Sequence, residues 1–162
     1  YEVCNYSYLP TIDTLWNIDE EVALYLIKKY NKEDYNDLMK ILCENYWFDV
    51  VIYLIEEGCE FNYDHFKLIA GGDPLSVNIL RQLYDISIKD MIYYALLRDE
   101  ELIDRYQYYK EHYPSEFKEL IKEDKLSFIA TYTDNHDMLE DHPFVQECIV
   151  DGIIGTFNLL NH

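Results

Sequence analysis

Basic residues are scarce in this chain: thirteen Lys and Arg stand against thirty-two Asp and Glu in 162 residues, a formal net charge of −19. That balance argues against a direct nucleic-acid binder and against attraction to anionic membrane, since both need a positive surface. Glycine and proline are also sparse, at five and four, so long irregular loops are not expected and the elements must be joined by short turns. No apolar run approaches the about 20 residues of a membrane-spanning helix, and no signal-peptide pattern is visible. The cysteines Cys4, Cys43, Cys59 and Cys148 lack paired C-x-x-C spacing, which points to buried free thiols in a reducing compartment, the cytoplasm or nucleus. Asn5-Tyr6-Ser7 matches a glycosylation sequon, a tripeptide frequent by chance, and nothing else suggests secretion. The chain opens on Tyr1 rather than Met, as expected of a piece of something longer.

Catalytic frames are missing too. Gly71-Gly72-Asp73-Pro74 is a turn and not a phosphate loop, because neither G-x-x-x-x-G-K-[ST] nor G-x-G-x-x-G is present. There is no G-x-S-x-G elbow, and no cysteine has a histidine placed nearby in sequence. Asp134, His136, Asp137, Glu140, Asp141 and His142 cluster, but without H-E-x-x-H or the Gly and terminal Glu of a calcium loop, so they read as a solvated acidic turn. No catalytic, cofactor or metal residue is expected, and the chain is not read as an enzyme.

What is present is apolar and aromatic: 49% hydrophobic residues with seventeen tyrosines. The fold class this predicts is all-α, in one domain. The tyrosines, with large apolar bodies and polar tips, suit the edges of helix contacts and rigid contact area for a partner. The most regular stretch runs from Asp37 to Asn62. It predicts a helix over Leu38–Asn45 and a second over Phe48–Glu57, the latter with Val50, Val51, Leu54 and Ile55 on one face. Gly58 is the expected left-handed stop, and Cys59 is small enough to turn back onto the helix.

This stretch resembles an ankyrin repeat. Val50 and Val51 take the valine pair of the second helix, Leu54 and Ile55 its leucines, Gly58-Cys59 its Gly-Ala, and Asn62 the closing Asn or Asp. The first half departs: Asp37, Leu38, Met39 and Lys40 replace Thr-Pro-Leu-His, and Tyr46 stands where the inter-helix turn has glycine. Copies recur at a short period. Cys43 precedes Val50 by seven positions, Ala70 precedes Val77 and Ala95 precedes Leu102 by the same interval, and Val22 heads a comparable helix 28 positions before Val50. Ala130 and Met138 form a frayed copy. The resemblance implies an α-solenoid of stacked helix pairs, similar to the degenerate ankyrin-like arrays of large DNA viruses.

In chain order, an opening segment with Tyr6, Tyr8, Leu9 and Pro10 is expected to cap the stack. Units follow at about 11–35, 36–62, 63–88, 89–114 and 115–142, with a closing helix over 143–160. The first helix, Asp19 to Tyr30, is apolar all round and expected to be sandwiched, with Asn31 ending it. The fourth unit sets Tyr106, Tyr108 and Tyr109 where the repeat has leucines, and Ser115 is the expected cap of the fifth helix. Pro143 starts the closing helix, whose apolar face runs through Phe144, Val145, Cys148, Ile153, Phe157 and Leu160.

The resemblance implies a protein-interaction module whose partner has a basic or mixed surface. In viral relatives of this type the target is often a host defence or ubiquitin-ligase component. Candidate contact residues are Tyr46, Trp47, Asp73, Asp99 and Glu100 in the inter-helix turns, with Trp47 foremost, because Trp dominates interface hot spots. The alternative is an acidic mimic of nucleic acid seated in the basic groove of a DNA- or RNA-binding protein. Net charge is its only support, since carboxylate runs such as Asp99-Glu100-Glu101 and Glu140-Asp141 are too sparse to form rows at phosphate spacing.

Overall fold

The computed structural model describes residues 19–29 and 35–155. Among these there are ten helices and no strand: α1 (Glu20–Ile27), α2 (Tyr35–Glu44), α3 (Phe48–Glu56), α4 (Tyr63–Ile69), α5 (Pro74–Leu83), α6 (Ile88–Leu97), α7 (Leu102–His112), α8 (Pro114–Lys122), α9 (Phe128–Asn135) and α10 (Pro143–Val150). The all-α expectation holds. Residues 1–10, Cys4, Asn31, Phe157 and Leu160 lie outside the described residues. The chain divides into two compact units, the break falling between Leu80 and Arg81 within α5.

In the first unit α2 packs on α3, while α1 lies against α3 and α2 against α4. Neighbours in space are therefore alternate as well as consecutive helices. Leu38, Met39, Leu42 and Cys43 of α2, Val50, Val51 and Leu54 of α3, and Phe66 and Ile69 of α4 are all buried. The spacing that defined Cys43 with Val50, and Ala70 with Val77, thus marks core positions, each fully buried. Asn62 and His65 form a reciprocal cap at the start of α4: the Asn62 N–H donates to His65 Nδ1 at 3.0 Å, and the His65 N–H donates to Asn62 Oδ1 at 3.1 Å. Gly72 is required by contact. A Cβ there would stand 2.7 Å from Phe48 Cε2 and 3.2 Å from Tyr46 Cβ, so the α4–α5 turn presses directly on the α2–α3 turn.

In the second unit α6 packs on α7 and α8, and α7 on α8. Ala95 and Leu102 are again buried. Tyr106 and Tyr109 are fully buried where leucines would be smaller, and Tyr106 meets Phe117 and Phe144 edge to face at 4.9 and 5.1 Å.

One device ends six of the helices. Tyr46, Gly58, Asp85, Asp124, Asp137 and Gly152 all have positive φ, between 51° and 93°. The next N–H then reaches back five residues: Trp47 to the Leu42 carbonyl, Cys59 to Leu54, Ile86 to Arg81, Lys125 to Leu120, Met138 to Thr133 and Ile153 to Cys148, at 2.9–3.2 Å. This left-handed closure satisfies carbonyls that the helix end would otherwise leave open.

Several expectations are corrected. Val22 is 46% exposed, whereas Ala23 and Ile27 are buried, so α1 shows one face to solvent and is not sandwiched; it also stops at Ile27. Ser115 does not cap α8, because Pro114 already occupies its first turn and Tyr113 stands at the cap position. The closing helix ends at Val150, cut short by the left-handed Gly152. Cys59 is half-buried because it lies in the turn beyond Gly58, while Cys43 and Cys148 are buried free thiols, both pushed up to about 12 by burial. Ala130 and Met138 are half-buried.

Two predictions follow from this packing. Val50→Asp places a carboxylate in a fully apolar seam and should cost several kcal/mol, about the whole stability of a domain, whereas Glu56→Asp on the exposed side of α3 should cost less than about half a kcal/mol; equal thermal midpoints would contradict the register. Burial holds the His65 imidazole below its usual range, and only the neutral ring can accept the Asn62 N–H. His65→Ala should therefore cost about 1 kcal/mol at neutral pH. That difference should fade as pH falls through the lowered His65 value, and a difference independent of pH would disprove the cap.

Candidate functional site: an aromatic groove in the second unit

The five residues singled out from the sequence fall into two groups. Tyr46 and Trp47 are half-buried in the α2–α3 turn, Tyr46 in the left-handed region and Trp47 at the cap position of α3. Asp73 is exposed, and its Oδ2 accepts from both the Ser76 N–H and Ser76 Oγ at 3.1 Å. Its carboxylate thus has a structural task at the start of α5. The Gly72 contact brings the turns of Tyr46 and Asp73 together. Asp99 and Glu100 belong to the second unit and are exposed, with Asp99 and Glu101 both left-handed where α6 turns into α7. Burial, with Asp99 nearby, raises the Tyr132 phenol above its usual range. Tyr46, Trp47 and Asp73 therefore share one region of the first unit, and the other two lie on the second.

A concave site was not singled out from the sequence. It is a groove of about 470 Å³ lined by Asp90, Tyr93, Tyr94 and Leu97 on one side, and by Leu120, Asp124, Lys125, Ser127 and Phe128 on the other. The first four are spaced i, i+3, i+4, i+7, one face of α6. They flank the buried face of Met91, Ile92, Ala95 and Leu96, which α6 commits to the core. The second wall follows from the stop at Asp124: its left-handed backbone turns the chain off α8 and delivers Phe128 at the start of α9. Leu120 is buried and belongs to the apolar base.

Three rings line this groove. Tyr93 and Tyr94 lie 5.0 Å apart at 74°, and Tyr93 and Phe128 6.0 Å apart at 86°. Two carboxylates, Asp90 and Asp124, share the lining with one ammonium, Lys125. Lys125 Nζ is 3.2 Å from Glu123 Oε2, and Glu123 also holds Lys89, whose ammonium pairs with Glu119 as well. Those bonds, Lys89 foremost, keep the Glu123 carboxyl below its usual range. The single cation of the lining is thus paired to a neighbouring carboxylate. The signal available in the sequence was the Asp90, Tyr93, Tyr94, Leu97 face itself.

Other titratable groups are used structurally. Tyr106 Oη donates to Asp151 Oδ2 at 2.6 Å, and Lys110 Nζ bonds Glu147 Oε2 at 3.0 Å and Asp151 at 2.7 and 3.0 Å. This network ties α10 to α7. In the acidic turn, His136 Nδ1 is 2.9 Å from the Tyr132 carbonyl, and His142 Nδ1 accepts the Phe144 N–H at 3.1 Å. Among the described residues no group of three His, Cys, Asp or Glu side chains is placed to hold a metal ion, and no helix is long and apolar enough to cross a membrane. Comparison with protein-family models, curated proteins and solved structures gives no match.

Burial would lower the Lys110 ammonium, but the bonds to Asp151 and Glu147 outweigh it and hold it above the usual lysine range. Lys110→Met should lower stability by about 1 kcal/mol at neutral pH, a modest figure because the side chain is partly exposed. The difference should persist through mildly alkaline pH and vanish as pH climbs through the raised lysine value. Loss of the difference already near neutrality would show that this network does not hold α10.

Proposed function

We propose that this chain is a protein-interaction module, built as an ankyrin-like stack of helix pairs and binding a protein partner through its second unit. The observation that carries the binding role is the aromatic groove: three half-buried rings and the exposed Leu97 beside two carboxylates, over the buried Leu120. Such a concave, mixed surface is what a binding site offers, and aromatic side chains supply rigid contact area at low entropic cost.

Three observations support the ankyrin-like reading. Alternate helices touch, α1 with α3, α2 with α4 and α6 with α8, as stacking of pairs requires. Tyr46, at the place of the family's turn glycine, adopts the left-handed backbone that glycine would supply. The small-to-aliphatic pairs Cys43 with Val50, Ala70 with Val77, and Ala95 with Leu102 are all buried. By the same resemblance, antagonism of host defence in the cytoplasm is the setting proposed for it. The acidic mimic of nucleic acid is the alternative and rests on net charge alone; Glu119, Glu123, Glu147 and Asp151 already pair with local lysines, and Asp73 with Ser76.

The test is affinity capture from cell lysate by the wild type and by Tyr94→Ala/Phe128→Ala, both shown to be folded by circular dichroism. One specific protein should be retained by the wild type, lost by the variant and little affected by moderate salt. Capture that survives the variant would overturn the groove as the binding site. Capture of nucleic-acid-binding proteins that collapses steeply with salt would establish the mimic instead.

A further inference from the structure

The lining of the groove specifies what enters it. We propose that it is a receptor for one arginine side chain of the partner, the guanidinium lying against the rings of Tyr93, Tyr94 and Phe128 and reaching Asp90 and Asp124. This inference rests on the reading of the groove as the partner site.

Rings supply the first part of the argument. Tyr93 meets Tyr94 and Phe128 edge to face, at 74° and 86°, and all three rings line the groove while only half-buried, so part of each is left for a cation. Tyrosine faces elsewhere in the chain already hold its own lysines: Lys28 lies over Tyr53 at 5.4 Å, Lys29 over Tyr25 at 4.8 Å, Lys67 over Tyr63 at 5.1 Å and Lys110 over Tyr106 at 5.9 Å.

Charge supplies the second. Asp90 and Asp124 both line the groove, and its one ammonium, Lys125, is bonded to Glu123 outside it. The lining therefore keeps a net negative character within a chain of net charge −19. That charge complements a basic segment and repels a second copy of this chain. Arginine fits better than lysine. Its flat, weakly hydrated guanidinium can stack on a ring with its face and bond a carboxylate with its edge at once, whereas an ammonium is a compact, strongly hydrated point charge. At about 470 Å³ the groove has room for the guanidinium together with its stem.

The probe is a blocked tripeptide, acetyl-Gly-Arg-Gly-amide, titrated against the full chain and followed by backbone and aromatic NMR shifts, beside the same peptide with citrulline or lysine in place of arginine. Shifts should centre on residues 90–97 and 124–128, with the arginine peptide binding at least about tenfold more tightly than its neutral citrulline isostere. Asp90→Asn/Asp124→Asn should remove most of that preference. Asn keeps the size of both side chains and tolerates the left-handed backbone at residue 124, so folding is retained. Citrulline binding as well as arginine, or shifts centred elsewhere, would overturn the proposal, and lysine binding as well as arginine would overturn the preference for a guanidinium. The capture experiment separates the two levels. A partner lost by Tyr94→Ala/Phe128→Ala but kept by Asp90→Asn/Asp124→Asn would leave the groove as the partner site and reject arginine as its occupant. A partner kept by both variants would reject the groove itself.

Discussion

Helices of seven to eleven residues are too short to hold together alone in water, so every element here depends on being stopped cleanly and folded back onto a neighbour. At six of the ten helices among the described residues, a left-handed residue after the helix does both. It closes the last carbonyls and reverses the chain within two or three positions, which allows ten helices among the described residues of a chain with only five glycines. Glycine provides the stop at residues 58 and 152, aspartate at 85, 124 and 137, and Tyr46 between α2 and α3. An L-residue there is disfavoured by about 1–2 kcal/mol, least for the short polar side chain of Asp or Asn. The buried seams of Val50, Val77 and Leu102 offset that cost.

The same constraint reaches the groove. α6 buries one face, and the face beside it, Asp90, Tyr93, Tyr94 and Leu97, lines a groove because the stop at Asp124 turns the chain and places Phe128 opposite. Termination of α8 and the aromatic lining are therefore one structural fact. The acidic character of the chain enters here as geometry: Glu123 binds Lys89 and Lys125, and two carboxylates, Asp90 and Asp124, line the groove against the one ammonium of Lys125.

Much of this was legible in the sequence, for reasons that can be stated residue by residue. Cys43 with Val50, Ala70 with Val77 and Ala95 with Leu102 are legible by spacing, because small and aliphatic residues recurring at a fixed interval mark buried positions, and all six are buried. Gly58 was found because glycine is rare here. Asp85, Asp124 and Asp137 were not recognised as stops, since one carboxylate among thirty-two acidic residues carries no conformational signal. The register of α1 was misread at Val22 because its apolar residues surround the helix, and only the burial of Ala23 and Ile27 shows which side packs. The closing helix was drawn too long because apolar periodicity continues past Gly152. The groove was missed for a related reason: Tyr93 and Tyr94 look in sequence like Tyr106 and Tyr109, which are core.

Native-state hydrogen exchange tests the central claim most directly, because the closing bonds predict which turn amides are shielded. The amides of Ile86, Lys125 and Met138, each donating to a carbonyl five residues back, should exchange slowly together with the helix interiors. The amide of Glu100, in a turn without that closure, should exchange fast. If Ile86, Lys125 and Met138 exchanged as rapidly as Glu100, the helices would not be ended by left-handed stops, and the account of both the fold and the groove would fail.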